Sequence, residues 1–442
     1  MPARVTAGRL AFLTACLCVA GVRASAEPPP SAPMPASKLT QADTELIEEI
    51  QRRTFGYFWQ FAHAQSGLAR ERSRSGHVAA SGGSGFGILA ILVAAERGWI
   101  TRDAARERMD KIVGFLGKAQ RFHGAWSHWL DGRTGKAIRF SPKDDGGDLA
   151  ETALLMQGLL TAREYFVRKT DAESRLRRQI TDLWEAVEWS WFTRGGEALL
   201  WHWSPKYGFE MNLRIAGWNE CLIAYVLAAS SPTHPIRPGV YHKGWARGGK
   251  MVNRKPFLGV HVPLGRPRGG PLFFAHYSFV CLDPRKLRDR YADYWQQNVN
   301  HTRANYLYCV REAPAEYRYS SRCWGLTASD DPDGYRAHQP GKRDTGTITP
   351  TAALSSMPYA PAESIAAGRF FCRELGDRLW GPHGLYDAFN LSRGWFARQH
   401  VAINQGPIVA MIENYRTGLL WRTFMKCREV QVGLEKLGFT WR

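Results

Sequence analysis

The sequence predicts an all-α fold, a double ring of helices or (α/α)6 barrel, from three observations. Apolar residues recur at helical spacing along most of the chain, alternating strand-type runs are few, and start and stop signals bracket about eleven helical segments. A helical solenoid is the alternative, but no repeat of fixed period is present. Residues 43–64 carry Leu46, Ile47, Ile50, Phe55, Phe58 and Trp59 as one apolar stripe. Residues 87–97 are almost wholly apolar and stop at Gly98, the pattern of a buried helix. Thr101 has N-cap chemistry for a helix running to about residue 119. Helices follow over 149–168, 172–191 and 219–229. Asp283-Pro284 offers a cap followed by proline at the first helical position, so a helix is expected from there to 302. Further helices are expected at 361–375, 407–415, 419–427 and 430–437, with a short hairpin arm at 198–203. The connections 122–147, 231–282 and 312–360 are long. Long ordered loops tend to carry function, and gathered at one end of a barrel they would wall a cleft.

At 442 residues, 44% hydrophobic and 22% charged, the chain has ample material for a large core. Its 17 tryptophans serve either as core or as flat faces for sugar rings. The net charge of +19 comes from scattered arginines, with no nucleic-acid motif and no block of like charge, so a solvated basic surface is expected and no nucleic-acid partner. Residues 1–26 resemble a secretory signal peptide: Arg4 and Arg9, an apolar run at 10–22 too short to span a bilayer, and the cleavage signature Ala24-Ser25-Ala26. A lipobox-like Leu13-Thr14-Ala15-Cys16 competes with it and would lipidate Cys16. Residues 27–42, rich in Pro, Ser and Ala, read as a flexible leader, and 43–442 as one catalytic domain. The expectation is a periplasmic or secreted protein with no membrane-spanning segment after the signal.

Beyond the leader the cysteines are Cys221, Cys281, Cys309, Cys323, Cys372 and Cys427. None forms C-x-x-C, so zinc and thioredoxin-like readings lack support. An oxidising compartment permits disulfides, with Cys309 and Cys323 the nearest pair in sequence; buried free thiols are the alternative. No nucleotide-binding loop, G-x-S-x-G or H-E-x-x-H occurs, and neither cofactor nor metal is expected. The glycines of 81–87 are read as close packing or close substrate approach at a helix start.

Two acidic clusters could carry chemistry. In the first, Asp144, Asp145, Asp148 and Glu151 crowd around the start of a strong helix, beside Gly146 and Gly147. Asp148 as N-cap with Glu151 three residues on would make a capping box, and helix dipoles favour acids there. Clustered carboxylates also suit calcium. But a cap needs fewer acids than this, and mutual repulsion raises carboxyl pKa values as acid catalysis requires. In the second cluster, Glu220 opens an apolar helix beside Trp218 and Asn219. It is either a dipole-compensating surface acid or, among apolar neighbours, a general acid. Two carboxyls on separate helices across a cleft are the minimum for glycoside hydrolysis.

Several stretches, in order over nearly all of residues 45–440, resemble the glucoamylase-like domain of glycoside hydrolase family 144, a family of bacterial β-1,2-glucan hydrolases, and the same domain of cyclic β-1,2-glucan synthases. They include Gly85-Phe86-Gly87 through Ile100, Asp144 through Thr152, Gly217 through Leu222, Trp324 through Asp330, Tyr386 through Asn390 and Gln405-Gly406-Pro407 through Arg416. The resemblance implies an (α/α)6 barrel and an inverting acid/base mechanism on a β-glucan, with Asp144, Asp148 and Glu151 lining the cleft and Glu220 as general acid. Trp126, Trp129, Trp218, Asn219, Trp324, Asp387, Asn404 and Gln405 are the expected substrate contacts, with core burial the alternative for the tryptophans. One departure stands out: the family motif usually has Asp where this chain has Asn404, and a neutral amide cannot accept a proton as carboxylate does. The chain could therefore use another acid such as Asp148 or Asp387, transfer sugar instead of hydrolysing, or bind carbohydrate without turnover. A polysaccharide lyase shares the architecture, but no Tyr/His/Arg constellation supports one.

Overall fold

The computed structural model describes residues 39–441. The signal-peptide and lipobox readings, and most of the leader, lie outside them. The first helix begins slightly earlier than expected. Helix Gln41–Trp59 takes in the last two leader residues, because the Thr40 side chain accepts a hydrogen bond from Asp43 N and caps it.

Helices of two kinds dominate. Ser81–Glu96, Leu149–Tyr165, Leu222–Ser230 and Ala402–Arg416 are buried over almost all their surfaces. Gln41–Trp59, Arg102–Leu116, Asp171–Glu185 and Arg428–Leu437 are two-faced, each with one apolar stripe turned inward. The two-faced helices pack on the buried ones: Gln41–Trp59 on Ser81–Glu96 and Ala402–Arg416, Asp171–Glu185 on Leu149–Tyr165, and Arg428–Leu437 on Leu222–Ser230. Among the buried helices, Ser81–Glu96 packs against both Leu149–Tyr165 and Ala402–Arg416. Glycine sets its distance from Leu149–Tyr165: a Cβ at Gly85 would lie 2.1 Å from the Leu154 carbonyl oxygen. The glycine run at 81–87 is thus mainly a packing device inside the first turns of the helix, and the helix starts before residue 87 for that reason.

Caps written in the sequence are found where expected at Thr101, which accepts from Ala104 N, and at Asp148, which accepts from Glu151 N. Other helix starts differ, and the helix expected from residue 407 begins at Ala402 with Pro407 inside it. Asp283-Pro284 opens no helix; the Asp283 carboxylate accepts from Arg285 N in a local turn, and the helix is Tyr294–Arg311, capped by Asp293. The segment between them is polar and has no stripe to bury. The helix expected from residue 219 is Leu222–Ser230, because the Asn219 side chain accepts from Cys221 N at 2.9 Å and replaces the first helical turn by an Asx turn. Glu220 is left on that turn.

Short antiparallel ribbons line the loop regions. Val78–Ala80 pairs with Trp129–Asp131, Ala328–Asp331 with Gly334–Ala337, and Gly147–Asp148 with His202–Trp203. The expected hairpin arm at 198–203 pairs with the segment that follows it, Leu200 opposite Arg214, and at His202–Trp203 also with the acidic segment. All the cysteines from Cys221 onward are unpaired thiols. Among the described residues, no helix is long and apolar enough to cross a membrane.

Candidate active site

The acids flagged in the sequence gather at one place, the N-termini of the buried helices. Asp148 and Glu151 open Leu149–Tyr165, Glu220 precedes Leu222–Ser230, and Asn404 and Gln405 lie in the first turn of Ala402–Arg416. Gly82 N, in the first turn of Ser81–Glu96, donates to Glu151 Oε2 at 2.7 Å and ties two of these termini together. A side chain at Gly82 would collide with that carboxylate, at 2.7 Å from its oxygen. Helix N-termini carry partial positive charge and favour acids.

Two histidines answer the first acidic cluster. His128 Nδ1 lies 3.0 Å from Asp148 Oδ2, and His202 Nε2 lies 3.0 Å from Asp144 Oδ2. The ribbon register sets His202 directly opposite Asp148. Burial opposes charge on His128, but Glu151, Asp148 and Asp144 outweigh it and raise its pKa to about 9. His202 is raised in the same way, by Asp144 and Asp148. Asp148 is held below the usual carboxylate range, its hydrogen bond from His128 and the His202 charge overcoming burial. Glu151 moves the other way, raised by burial and by the Asp148 charge. His128, Asp144 and Asp148 offer ligand atoms within 4.8 Å of one another. In this structure the two imidazoles pair with the Oδ2 atoms of these acids in an ion-pair network. Asp148 is fully buried, with one oxygen on Glu151 N and the other on His128. With both oxygens engaged, it holds its neighbours in place.

Glu220 keeps partial access to solvent, yet it is crowded enough that burial, with the charges of Glu151 and Asp148, pushes its pKa up to about 7. The third group is Asp387, which accepts from Asn404 Nδ2 at 2.8 Å and from Asp330 N at 2.8 Å. Burial and the Asp330 charge lift its pKa to about 7, and the Asn404 hydrogen bond pulls against them. Tyr277 joins the groups. Its hydroxyl donates to Asn404 Oδ1 at 3.3 Å, and burial together with the charges of Glu220, Glu151 and Asp387 keeps the phenol protonated.

The aromatic expectations fare less well. Trp126 and Trp324 are fully buried core residues, their indole N–H groups donating to the carbonyls of Leu116 and Glu363. They offer no face to a sugar. Trp218 is buried against Phe279 and Tyr294, with its N–H on His301 Nδ1. Gln405 is buried and donates to the Leu385 carbonyl. Trp129 is partly exposed and meets Phe140 edge-on at 4.8 Å, while Phe140 stacks on His128 at 4.0 Å. Phe140 is 47% exposed. Tyr335, 50% exposed on the Gly334–Ala337 strand, lies by Arg72, whose guanidinium binds Asp330 at 2.8 Å. Phe140, Tyr335, His128, His202 and Tyr277 all escaped the sequence reading, since single residues in loops and ribbons of two to four residues leave no pattern.

The chain is similar to known proteins along most of its length. The family profile described as "Putative glucoamylase" matches residues 212–428, which hold Glu220, Asp387 and Asn404. A solved structure from Bacteroides uniformis described in the same words is 54% identical, with a TM-score of 0.89 over 91% of this chain and 99% of that one. An endo-β-1,2-glucanase from Chitinophaga pinensis, in complex with sophorotriose and glucose, is 48% identical with a TM-score of 0.89 over 91% of this chain and 99% of its own. A curated exo-β-1,2-glucooligosaccharide sophorohydrolase (non-reducing end) from Parabacteroides distasonis is 43% identical over 91% of this chain, and the chain spans 59% of that relative's length. With these relatives along most of its length, the chain belongs to the glucoamylase-like family of glycoside hydrolase family 144.

Proposed function

We propose that this protein is a glycoside hydrolase that cleaves β-1,2-linked glucan or its oligosaccharides by an inverting acid/base mechanism. Its helices would close as an (α/α)6 double ring, and its basic, apolar N-terminal segment would export it to the periplasm or the medium. The observation that carries the reading is Glu220: a half-buried carboxyl, raised to about 7, near the acids Glu151 and Asp148 at converging helix N-termini. A carboxyl that still holds its proton near neutrality can give it to a departing glycosidic oxygen. The relatives from Chitinophaga pinensis and Parabacteroides distasonis, named for β-1,2-glucan and its oligosaccharides, support the substrate.

In this reading Glu220 protonates the leaving oxygen. Asp387, ionised with the help of Asn404, takes the proton of the attacking water and replaces the carboxylate missing at 404. The buried Asp148, with His128 and His202, fixes Glu151 and Asp144 beside the sugar. Phe140, Trp129 and Tyr335 supply ring faces. Incubation with linear β-1,2-, β-1,3- and β-1,4-glucans tests this. Short products from the β-1,2-glucan alone, lost in Glu220→Gln, are expected. Intact β-1,2-glucan under conditions where an active relative cuts it would leave a carbohydrate-binding role instead.

A further inference from the structure

We infer that the chain carries a second glucan-binding site, outside the catalytic cleft, built on the far face of the ribbon that bears His202. Consecutive residues of a strand point to opposite faces. His202 turns towards Asp144 and Asp148, so Trp203 turns away, and it meets the ring of His123 edge-on at 4.9 Å. Beyond it lies a cavity of about 460 Å3 lined by Glu188, Ser190, Trp191, Arg194, Phe209 and His234. That volume falls within the ~300–1,000 Å3 of small-molecule sites.

The platform of this cavity is Trp191. Its indole is 42% exposed and stacks on the His123 ring at 4.0 Å and 16°. Glu188 Oε2, 2.9 Å from His123 Nδ1, fixes that imidazole beneath it. The chemistry is that of a sugar site: a flat indole for the C–H face of a pyranose, with a carboxylate, a guanidinium, an imidazole and a hydroxyl around it for sugar hydroxyls. A nucleic acid would need clustered cations, whereas Glu188 sits in this groove. A glucan segment running on from the catalytic cleft around the ribbon is the occupant these features fit. The assignment rests on the proposed glucan hydrolysis for the identity of that chain.

Affinity electrophoresis in gels containing high-mass linear β-1,2-glucan, paired with hydrolysis of a short β-1,2-glucooligosaccharide, tests it. Trp191→Ala should weaken retardation about tenfold in apparent Kd, the scale of losing one binding hot spot, while the short oligosaccharide is cut within about twofold of the wild-type rate. Trp191→Phe, which keeps a ring, should recover part of the retardation, and unchanged thermal melting of both variants excludes misfolding. Retardation of Trp191→Ala equal to wild type, or no retardation of wild type, overturns the second site. Retardation that depends on Trp191 in a protein that cuts no glucan keeps the site and removes the hydrolase reading instead.

Discussion

Asn404 donates its side-chain amide to Asp387 at 2.8 Å. This contact places a neutral hydrogen-bond donor directly beside the carboxylate. Two carboxylates at that separation cannot both ionise. The amide instead favours the charged form of Asp387 and partly offsets the burial that raises it to about 7. Asn404→Asp should therefore raise the proton affinity of the pair and move the acidic limb of the kcat/KM profile to higher pH. A profile that does not move would exclude Asp387 as the base.

Glu220 should weaken the fold where it is ionised. Its folded pKa lies above the ordinary carboxyl value, so the native state binds the proton more tightly than the unfolded chain does. Stability attributable to this group is full below about pH 4.5 and declines as pH rises to about 7. Glu220→Gln should then melt higher than wild type at pH 8 and equally at pH 4, by thermal unfolding at both values. A lower melting point at pH 8 would mean that the carboxylate is stabilised by its surroundings.

The opposite sign of charge governs His128. Its folded pKa of about 9 lies above the ordinary 6.5, so its contribution is complete below about pH 6.5 and is lost as pH rises through 9. Wild-type melting should fall between pH 7 and pH 9.5 more steeply than that of His128→Gln. Removing the ring also leaves the buried Asp148 with His202, 3.6 Å away, as its remaining imidazole, a loss below the roughly 3–5 kcal/mol of breaking a fully buried pair. A variant as stable as wild type at pH 7 would contradict the network.

Tyr335 offers the cleft an exposed ring at little structural cost, on a strand paired only to its own hairpin partner. Tyr335→Ala should raise KM for β-1,2-glucooligosaccharides several-fold and leave the melting temperature within about 1 °C, the behaviour of a surface substitution. An unchanged KM removes it from the substrate path.

Gly85→Ala tests the helix contact beneath the site. The added methyl would sit 2.1 Å from the Leu154 carbonyl oxygen, so the two helices must separate. Overpacking of this kind costs about 1–3 kcal/mol and sometimes more. Denaturant unfolding measures it, and stability equal to wild type would contradict the backbone-to-backbone packing.

What the sequence disclosed follows from the range of the interactions involved. Thr101 and Asp148 were legible as caps because a cap is completed within three residues. The buried and two-faced helices were legible because periodicity is local. Asp283-Pro284 misled because Asp293 has equal cap chemistry, and only the apolar residues beyond it decide where a helix can pack. Glu220 was legible as an acid among apolar neighbours, but not its seat on the Asn219 turn. Trp126 and Trp324 could not be told from sugar platforms, since an indole in the core and one in a cleft look alike in one dimension. The pairing of His202 with Asp144, and of His128 with Asp148, depends on ribbon register and loop path, which no local pattern records.

The measurement that tests the central claim most directly is proton NMR of the reducing-end anomer released first from linear β-1,2-glucan, with wild type and Glu220→Gln side by side. The account predicts the α anomer, formed by inversion at a β-linkage, and a rate lower by about 10²–10⁴ in the variant, the usual contribution of general acid catalysis. Release of the β anomer, or a variant that cuts as fast as wild type, would contradict it.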